Sequence, residues 1–352
     1  MRYLIVLVLC LWTLTLYPNE QNPDAIRKNG NDEADIVWEE RSTFPGSEAT
    51  QTLRVLSNTD TSIFAPIINS FLATNPNVNV EYLVAGSSDI YTKFQQSPGQ
   101  FDVVISSAMD LQLKLVNDGY AQQIDGLIHP SWAQWRNSLF GFTLEPAAIV
   151  VNKQLFARLP IPRSRQEMIN VLRANPEEFR AGIGTYDVRE SGLGYLFATQ
   201  DARNSETYWR LMEIMGGLEA RLYCCSAEMI EDVANGTIAI AYNVLGSYAQ
   251  ARDDLADKIE VVLPSDFPTT MMRTAFVALD SKRADVASSF LRFLTSSRWH
   301  SQGSNQLSLP PLHSASNNTQ RSVIAMGPGL MIFLDRMKRQ SFVKEWEDAV
   351  IQ

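Results

Sequence analysis

The chain has 352 residues, 45% hydrophobic and 20% charged, with 30 Lys and Arg against 39 Asp and Glu for a formal net charge of -9. That length exceeds what one hydrophobic core usually serves, so two domains are expected. The acidic balance offers no basic face to nucleic-acid phosphates, and 3 cysteines are too few for a disulfide framework.

MRYLIVLVLCLWTLTLYPNE opens the chain: one Arg, then an apolar run over 3–17, then polar sequence. The run has the length of a signal-peptide core and falls short of the roughly 20 residues that span a bilayer. Export to the periplasm is therefore expected, with 1–17 either a signal peptide or an uncleaved anchor and the membrane touched only there. No A-x-A-like stretch marks a cleavage point, and Leu9 before Cys10 argues against a lipid-attachment site. Residues 18–51 are polar and carry Pro and Gly without periodicity, so they read as a flexible tether.

From Leu53 strand-like and helix-like runs alternate, the pattern of an α/β protein with mostly parallel sheets. LRVLS (53–57) precedes a helix carrying Phe64, Ile67, Ile68 and Phe71, with Pro66 about a turn inside it. NVEYLV (79–84) precedes a helix from about Asp89, and FDVVISS (101–107) one carrying Leu111, Leu115 and Val116. After GFTLEPAAIVVN (141–152) the alternation restarts with helices near 165–174 and 204–215, GIGTYD (182–187), RLYCC (221–225), a helix from Ser226 to Asn235, TIAIAYN (237–243) and IEVVLP (259–264). TAFVALD (274–280) and an amphipathic helix through Phe290, Leu291, Phe293 and Leu294 follow. Two α/β units, each with its own sheet, are implied.

The strand-to-helix junctions read SNTDTS (57–62), AGSS (85–88), SSAMD (106–110), TYDVRESGLG (185–194), CCSAE (224–228) and NVLGS (243–247). Open α/β sheets bind ligands at the carboxyl ends of their strands, where helix amino ends present unpaired N–H groups and partial positive charge. Any one of these Ser, Thr or Asp residues also suits a plain helix N-cap. The candidate ligand-binding residues are Asn58, Thr59, Asp60 and Thr61; Ser87 and Ser88; Ser106, Ser107 and Ala108; and, from the second unit, Arg189, Ser191, Gly192, Ser226, Asn243 and Ser247. Ser, Thr and Asn would donate side-chain bonds, Ala108 and Gly192 backbone N–H groups, and Arg189 two parallel bonds to a phosphate. Asp60 suits hydroxyl groups or a helix cap.

Catalytic and metal motifs are poorly represented. His129, His300 and His313 have no partners at ligand spacing, and there is no G-x-S-x-G or P-loop, so no cofactor, metal or enzymatic activity is expected, an enzyme on the same two-lobed scaffold being the lesser alternative. Cys224 and Cys225 read as reduced, partly buried thiols at a strand end. Their Cα atoms lie about 3.8 Å apart, whereas disulfides prefer about 5.5 Å.

LRVLSNTDTSIFAPIINSFLATNPNVNVEYL, FDVVISSAMDLQLKLVNDGYA, GLGYLFATQDA, IAIAYNVLGSYAQAR and DVASSFLRFLTSS together resemble the bacterial periplasmic solute-binding proteins of ABC transporters, type II architecture, in the branch of ferric-iron-binding and phosphoglycerate transport regulatory proteins. The resemblance covers about 52–345. It implies two lobes joined by crossing strands with a ligand cleft between them, lobe one from 52–143 plus 268–352 and lobe two from 147–264. It also implies hinge closure near Thr143–Pro146 and Leu263–Thr269. Iron binders of the branch carry adjacent tyrosines after the strand matching TIAIAYN, whereas here Tyr242 and Tyr248 are separated, which favours a small organic anion, phosphorylated or not, over ferric iron. The implied partner is an ABC permease or a sensor histidine kinase. The tail after Leu330, with Met331, Leu334 and Met337 as core residues, is expected on lobe one of a monomer.

Overall fold

The computed structural model describes residues 37–296, 299, 309–312 and 322–351. The expected signal segment with Cys10, most of the expected tether, His300 and His313 lie outside the described residues.

In chain order the strands are β1 (Glu40–Phe44), β2 (Gln51–Ser57), β3 (Val78–Val84), β4 (Val103–Ser106), β5 (Gln134–Trp135), β6 (Leu139–Gly141), β7 (Glu145–Asn152), β8 (Ile183–Tyr186), β9 (Arg221–Tyr223), β10 (Ile240–Leu245), β11 (Ile259–Val262), β12 (Thr270–Met271) and β13 (Thr274–Val277). The helices are α1 (Thr61–Leu72), α2 (Ser87–Gln96), α3 (Met109–Asn117), α4 (Arg165–Ala174), α5 (Pro176–Phe179), α6 (Gly192–Asn204), α7 (Thr207–Gly217), α8 (Ser226–Ala234), α9 (Gly246–Gln250), α10 (Ala284–Thr295) and α11 (Arg336–Val350).

A seven-stranded sheet in the order β1-β3-β2-β4-β13-β6-β5 forms lobe one, and a six-stranded sheet, β11-β7-β10-β8-β9 with β12 on β7, forms lobe two. β2 runs parallel to β3 and β4, and β8 parallel to β9 and β10, so their carboxyl ends and the helices that follow face one way within each sheet. The apolar spacing seen in sequence does the packing: Phe64, Ile67, Ile68, Phe71 and Leu72 form the buried stripe of α1 against β2 and β3. The chain leaves lobe one between β6 and β7 and returns between β11 and β13. At that crossing the two passages pair antiparallel, Thr270 with Pro146 and Met271 with Glu145.

Two expectations are corrected here. The segment read as a tether up to residue 51 contains β1, an edge strand whose register runs from Glu40 opposite Val84 to Phe44 opposite Val80. Its sequence ERSTF is mostly polar because one face meets solvent, and Arg41 pairs with Glu81 at 2.5 Å. The tail after Leu330 is divided between the lobes: the turn Pro328–Leu334 lies against α3 of lobe one, as expected, whereas Phe342, Trp346, Ala349 and Val350 of α11 join the core of Leu211, Met212 and Met215 on α7 in lobe two. Gly216 makes this approach feasible, since a Cβ there would stand 2.1 Å from the Ala349 carbonyl oxygen. Met331 and Leu334 are half-buried, and Met337, expected in a core, is 66% exposed.

Asp110 is buried near the amino end of α3, accepting from the Leu111 N–H, and burial pushes its carboxyl up to about 7. The folded state therefore holds this proton more tightly than the unfolded chain, where a carboxyl titrates near 4, and stability falls as pH rises from about 4 through 7. Asp110→Asn should remove that loss, on the order of 2–4 kcal/mol at pH 8 and little at pH 4. Thermal denaturation of both proteins across that range checks it; a constant difference in Tm would contradict the assignment.

Candidate functional site

The carboxyl ends of the two sheets face each other across a cavity of about 100 Å³. Lobe one contributes Asn58 and Asp60 from the β2–α1 junction, Ala85, Gly86 and Ser87 from β3–α2, and Glu39 from the residues before β1. Lobe two contributes Tyr186, Ser191 and Leu193 from β8–α6, Cys224, Cys225, Ser226 and Ala227 from β9–α8, and Leu245 and Tyr248 from β10–α9. Two hydrogen bonds join the lobes at the cavity. The Leu193 N–H donates to Ser87 Oγ at 3.1 Å, and the Asp60 N–H to Tyr248 Oη at 3.4 Å. Small-molecule sites ordinarily hold about 300 Å³ or more, so this cavity is small for one.

Of the candidate residues, Asn58, Asp60, Ser87, Ser191 and Ser226 line the cavity. Ser191 is also the N-cap of α6, accepting from the Gly194 N–H at 3.1 Å. Ser226 Oγ shares a 2.5 Å bond with Tyr186 Oη and accepts from the Leu245 N–H, which fixes the floor of lobe two. Neither Gly86 nor Cys225, the N-cap residues of α2 and α8, caps its helix through a side-chain hydrogen bond, and both line the cavity, with the Glu39 carboxylate at the Gly86 N–H.

The other candidates lie off the lining. Ser107 clamps Asn58, with Asn58 Nδ2 donating to Ser107 Oγ at 2.6 Å and the Ser107 N–H returning to Asn58 Oδ1 at 3.1 Å. Ser106 Oγ takes the Ala108 N–H, so the third junction closes on itself behind the first. Thr59 Oγ1 accepts from Arg273, the Thr61 N–H goes to Glu40, Asn243 Nδ2 donates to Asp201 at 2.8 Å, and Ser247 Oγ donates to Glu145 at 2.6 Å. Ser88 and Gly192 meet at the lobe contact: a Cβ on Gly192 would lie 3.0 Å from Leu111 and 3.2 Å from both Ser87 Oγ and Ser88 Oγ. Arg189, expected on a phosphate, is instead held by both oxygens of Asp187 and by Glu347 of α11. A neighbouring carboxylate two residues away outcompeted the distant cleft for its guanidinium.

Sequence reasoning missed Glu39, Tyr186, Tyr248 and the two cysteines. Glu39 was hidden by the tether reading, while Tyr186 carried a signal in sitting within a junction segment and Tyr248 in standing one residue beyond a second one. Cys224 and Cys225 are exposed, not partly buried. Tyr186 and Tyr248 are raised above the ordinary phenol range by burial, so both stay protonated donors. Desolvation raises Glu39 and Asp60, with Asp89 adding to the first and Glu40 to the second. No lysine, arginine or histidine among the described residues lines the cavity.

Behind this wall Arg273 and Glu145 form a fully buried pair, Nε to Oε1 and Nη2 to Oε2, each at 3.0 Å. Arg273 Nη1 continues to Thr59 Oγ1 at 2.5 Å and Asn58 Oδ1 at 3.3 Å.

The sequence profile of the bacterial extracellular solute-binding proteins matches residues 57–300. No curated protein sequence matches the chain. Among solved structures, the substrate-binding protein of an ABC transporter from Agrobacterium tumefaciens is 31% identical, with a TM-score of 0.81 over 88% of this chain and 98% of that one. The periplasmic binding protein AfuA from Actinobacillus pleuropneumoniae, with exogenous fructose-6-phosphate bound, superposes with a TM-score of 0.69 at 12% identity, covering 86% of this chain and 99% of AfuA. Iron-bound HitA from Pseudomonas aeruginosa gives 0.65 at 14% identity, covering 85% and 99%. These last two share the fold.

Arg273→Met should cost about 3–5 kcal/mol because it leaves the Glu145 carboxylate buried without a partner, whereas Arg273→Met with Glu145→Leu should recover much of the loss. Urea denaturation of the single and double variants tests this; equal losses would mean that the charge itself is not what the pair neutralises.

Proposed function

The chain belongs to the bacterial extracellular solute-binding proteins, a family of ABC-transporter components, and on that premise we propose that its cleft captures a small, hydroxyl-bearing organic anion for the partner permease. The family is a transport one and implies a periplasmic location and an ABC permease as partner. Export would be directed by the apolar N-terminal run, and the chain would work as a monomer; a sensor kinase is the alternative recipient. Among the described residues no helix is long and apolar enough to cross a membrane.

The observation that carries the ligand class is the convergence of the amino ends of α2 and α8 with the hydroxyls of Ser87, Tyr186, Ser226 and Tyr248 on one cavity. Backbone N–H groups and neutral hydroxyls hold an anion without a lysine or arginine. Asp60 and Glu39 would accept from the solute's own hydroxyls. Their raised titration supports this, since a carboxyl that takes a proton readily repels a neighbouring anion less. AfuA, of the same fold, holds fructose-6-phosphate.

A second reading, ferric iron, draws on Tyr186, Tyr248, Asp60 and Glu39 lining the same cavity, a set of oxygen donors a hard ion favours. Tyr242, the other tyrosine of that segment, donates to Asp201 at 2.7 Å and accepts from Arg165, so it is committed to lobe two's interior.

Calorimetry with sugar phosphates, the parent sugars and ferric citrate decides between them. The expected result is binding of a sugar phosphate, weakened roughly tenfold to hundredfold in Ser226→Ala and Asp60→Asn by loss of a charge-assisted bond worth about 1.5–3 kcal/mol. Binding of ferric ion alone, with a visible phenolate band, favours the second reading. Consumption of the bound solute would instead make the chain an enzyme.

A further inference from the structure

We infer that Cys224, Cys225 and Glu228 form a binding site for a soft, thiophilic metal ion on the lobe-two wall of the cleft. The site follows from how α8 begins. Cys225 is the N-cap residue and Glu228 stands three residues on, the spacing at which an N-cap side chain and an N3 carboxylate meet, here with sulfur where a capping box has a hydroxyl. Cys224 precedes the cap and turns to the same side, its Sγ 2.8 Å from Cys225 Sγ and 4.0 Å from Glu228 Oε2. The three donor atoms lie within 4.8 Å of one another, and all three residues are exposed, so an ion reaches them without unfolding the helix.

The donor set selects the ion. Two sulfurs and one carboxylate oxygen suit a d¹⁰ cation of soft or borderline character, whereas a hard ion such as ferric iron, Ca²⁺ or Mg²⁺ prefers the oxygens elsewhere in the cavity. Metal–sulfur distances near 2.3 Å and metal–oxygen distances near 2.1 Å place tetrahedral donors roughly 3.6–3.8 Å apart. Rotating the two Cys side chains apart by about 1 Å reaches that spacing and leaves a fourth position for water. On binding, each thiol loses its proton to solvent, and no electron is transferred. Both sulfurs are part of the cavity lining, which puts a bound ion beside the captured solute; the ion takes the side chains of Cys224, Cys225 and Glu228, whereas the proposed solute takes backbone N–H groups of the same helix end.

The test titrates Cd²⁺ into the full chain, reduced and freed of reductant, and reads the ultraviolet thiolate-to-cadmium charge-transfer band. Saturation at one equivalent is expected, with about half the absorbance after Cys224→Ser or Cys225→Ser because one of two thiolates is gone. Glu228→Gln should weaken binding roughly tenfold to hundredfold. Circular dichroism of each variant confirms that it is folded. The absence of the band, an unchanged titration in the Cys224→Ser, Cys225→Ser double variant, or recovery of the exported chain with the two cysteines joined as a disulfide would overturn the site. None of these outcomes bears on sugar phosphate binding, so this site and the proposed solute fail independently.

Discussion

The Arg273 and Glu145 side chains are shut off from solvent and share two parallel hydrogen bonds, at the place where the chain passes from one lobe to the other. Removing both charges from water costs several kcal/mol each, and mutual attraction offsets that only if the remaining donors and acceptors are also met. They are met from every side: Thr143 Oγ1 donates to Glu145 Oε1, Ser247 Oγ to Glu145 Oε2, and Thr59 Oγ1 takes Arg273 Nη1. Glu145 opens β7 and Arg273 lies between β12 and β13, so the pair ties one passage to the other. Thr59 belongs to lobe one and Ser247 to lobe two, so it also ties each passage to a cleft-forming junction.

Lobe two repeats the device on a larger scale. Arg165 of α4 and Asp201 of α6 are both fully buried and bonded at 3.0 Å. Asp201 also receives Tyr242 Oη, Asn243 Nδ2 and Thr269 Oγ1, while Arg165 reaches Asp266 and the Phe267 carbonyl. This network holds the returning passage, 266–269, against the lobe it is leaving. With Arg273 at the far end, the segment that a hinge motion would bend is pinned at both ends, which concentrates any bending on the few residues between.

Sequence pattern reported those parts of the fold where burial imposes a period. The apolar stripe of α1 and the runs LRVLS and FDVVIS declared themselves because one face of each is core, and the junctions followed from where those runs stop. β1 left no such trace, since an edge strand with one solvated face can be built from ERSTF. The lobe served by α11 was equally silent: Phe342 and Trp346 mark a helix with one apolar stripe, but nothing in the stripe names the surface that covers it. The site divided along the same line. Ser87, Ser191 and Ser226 fell on the cavity because junction geometry puts them there. Ser106, Ser247 and Asn243 have the same chemistry but were claimed by partners distant in sequence, Ser247 by Glu145 and Asn243 by Asp201, or by their own junction, as Ser106 was by Ala108. Residue type at a strand end limits what a side chain can do, and which competitor reaches it first decides what it does.

That competition explains the charge of the cleft. Three arginines stand near it in the fold, and each is already spent: Arg189 on Asp187 and Glu347, Arg273 on Glu145, and Arg252 on Glu231 and Asp254. The lining carries two carboxylates, an amide, hydroxyls, two thiols and helix amino ends, among them those of α2 and α8. A helix end offers about half a unit charge and fixed N–H directions, while an arginine offers a full charge on a flexible arm. A cleft built this way would hold the proposed solute by the direction of many weak donors rather than by one strong ion pair. Directional bonds are formed only when both lobes are in register, whereas an arginine would reach an anion from an open lobe. On the proposed function, affinity would thereby be coupled to closure, the state that a permease would distinguish from the empty protein.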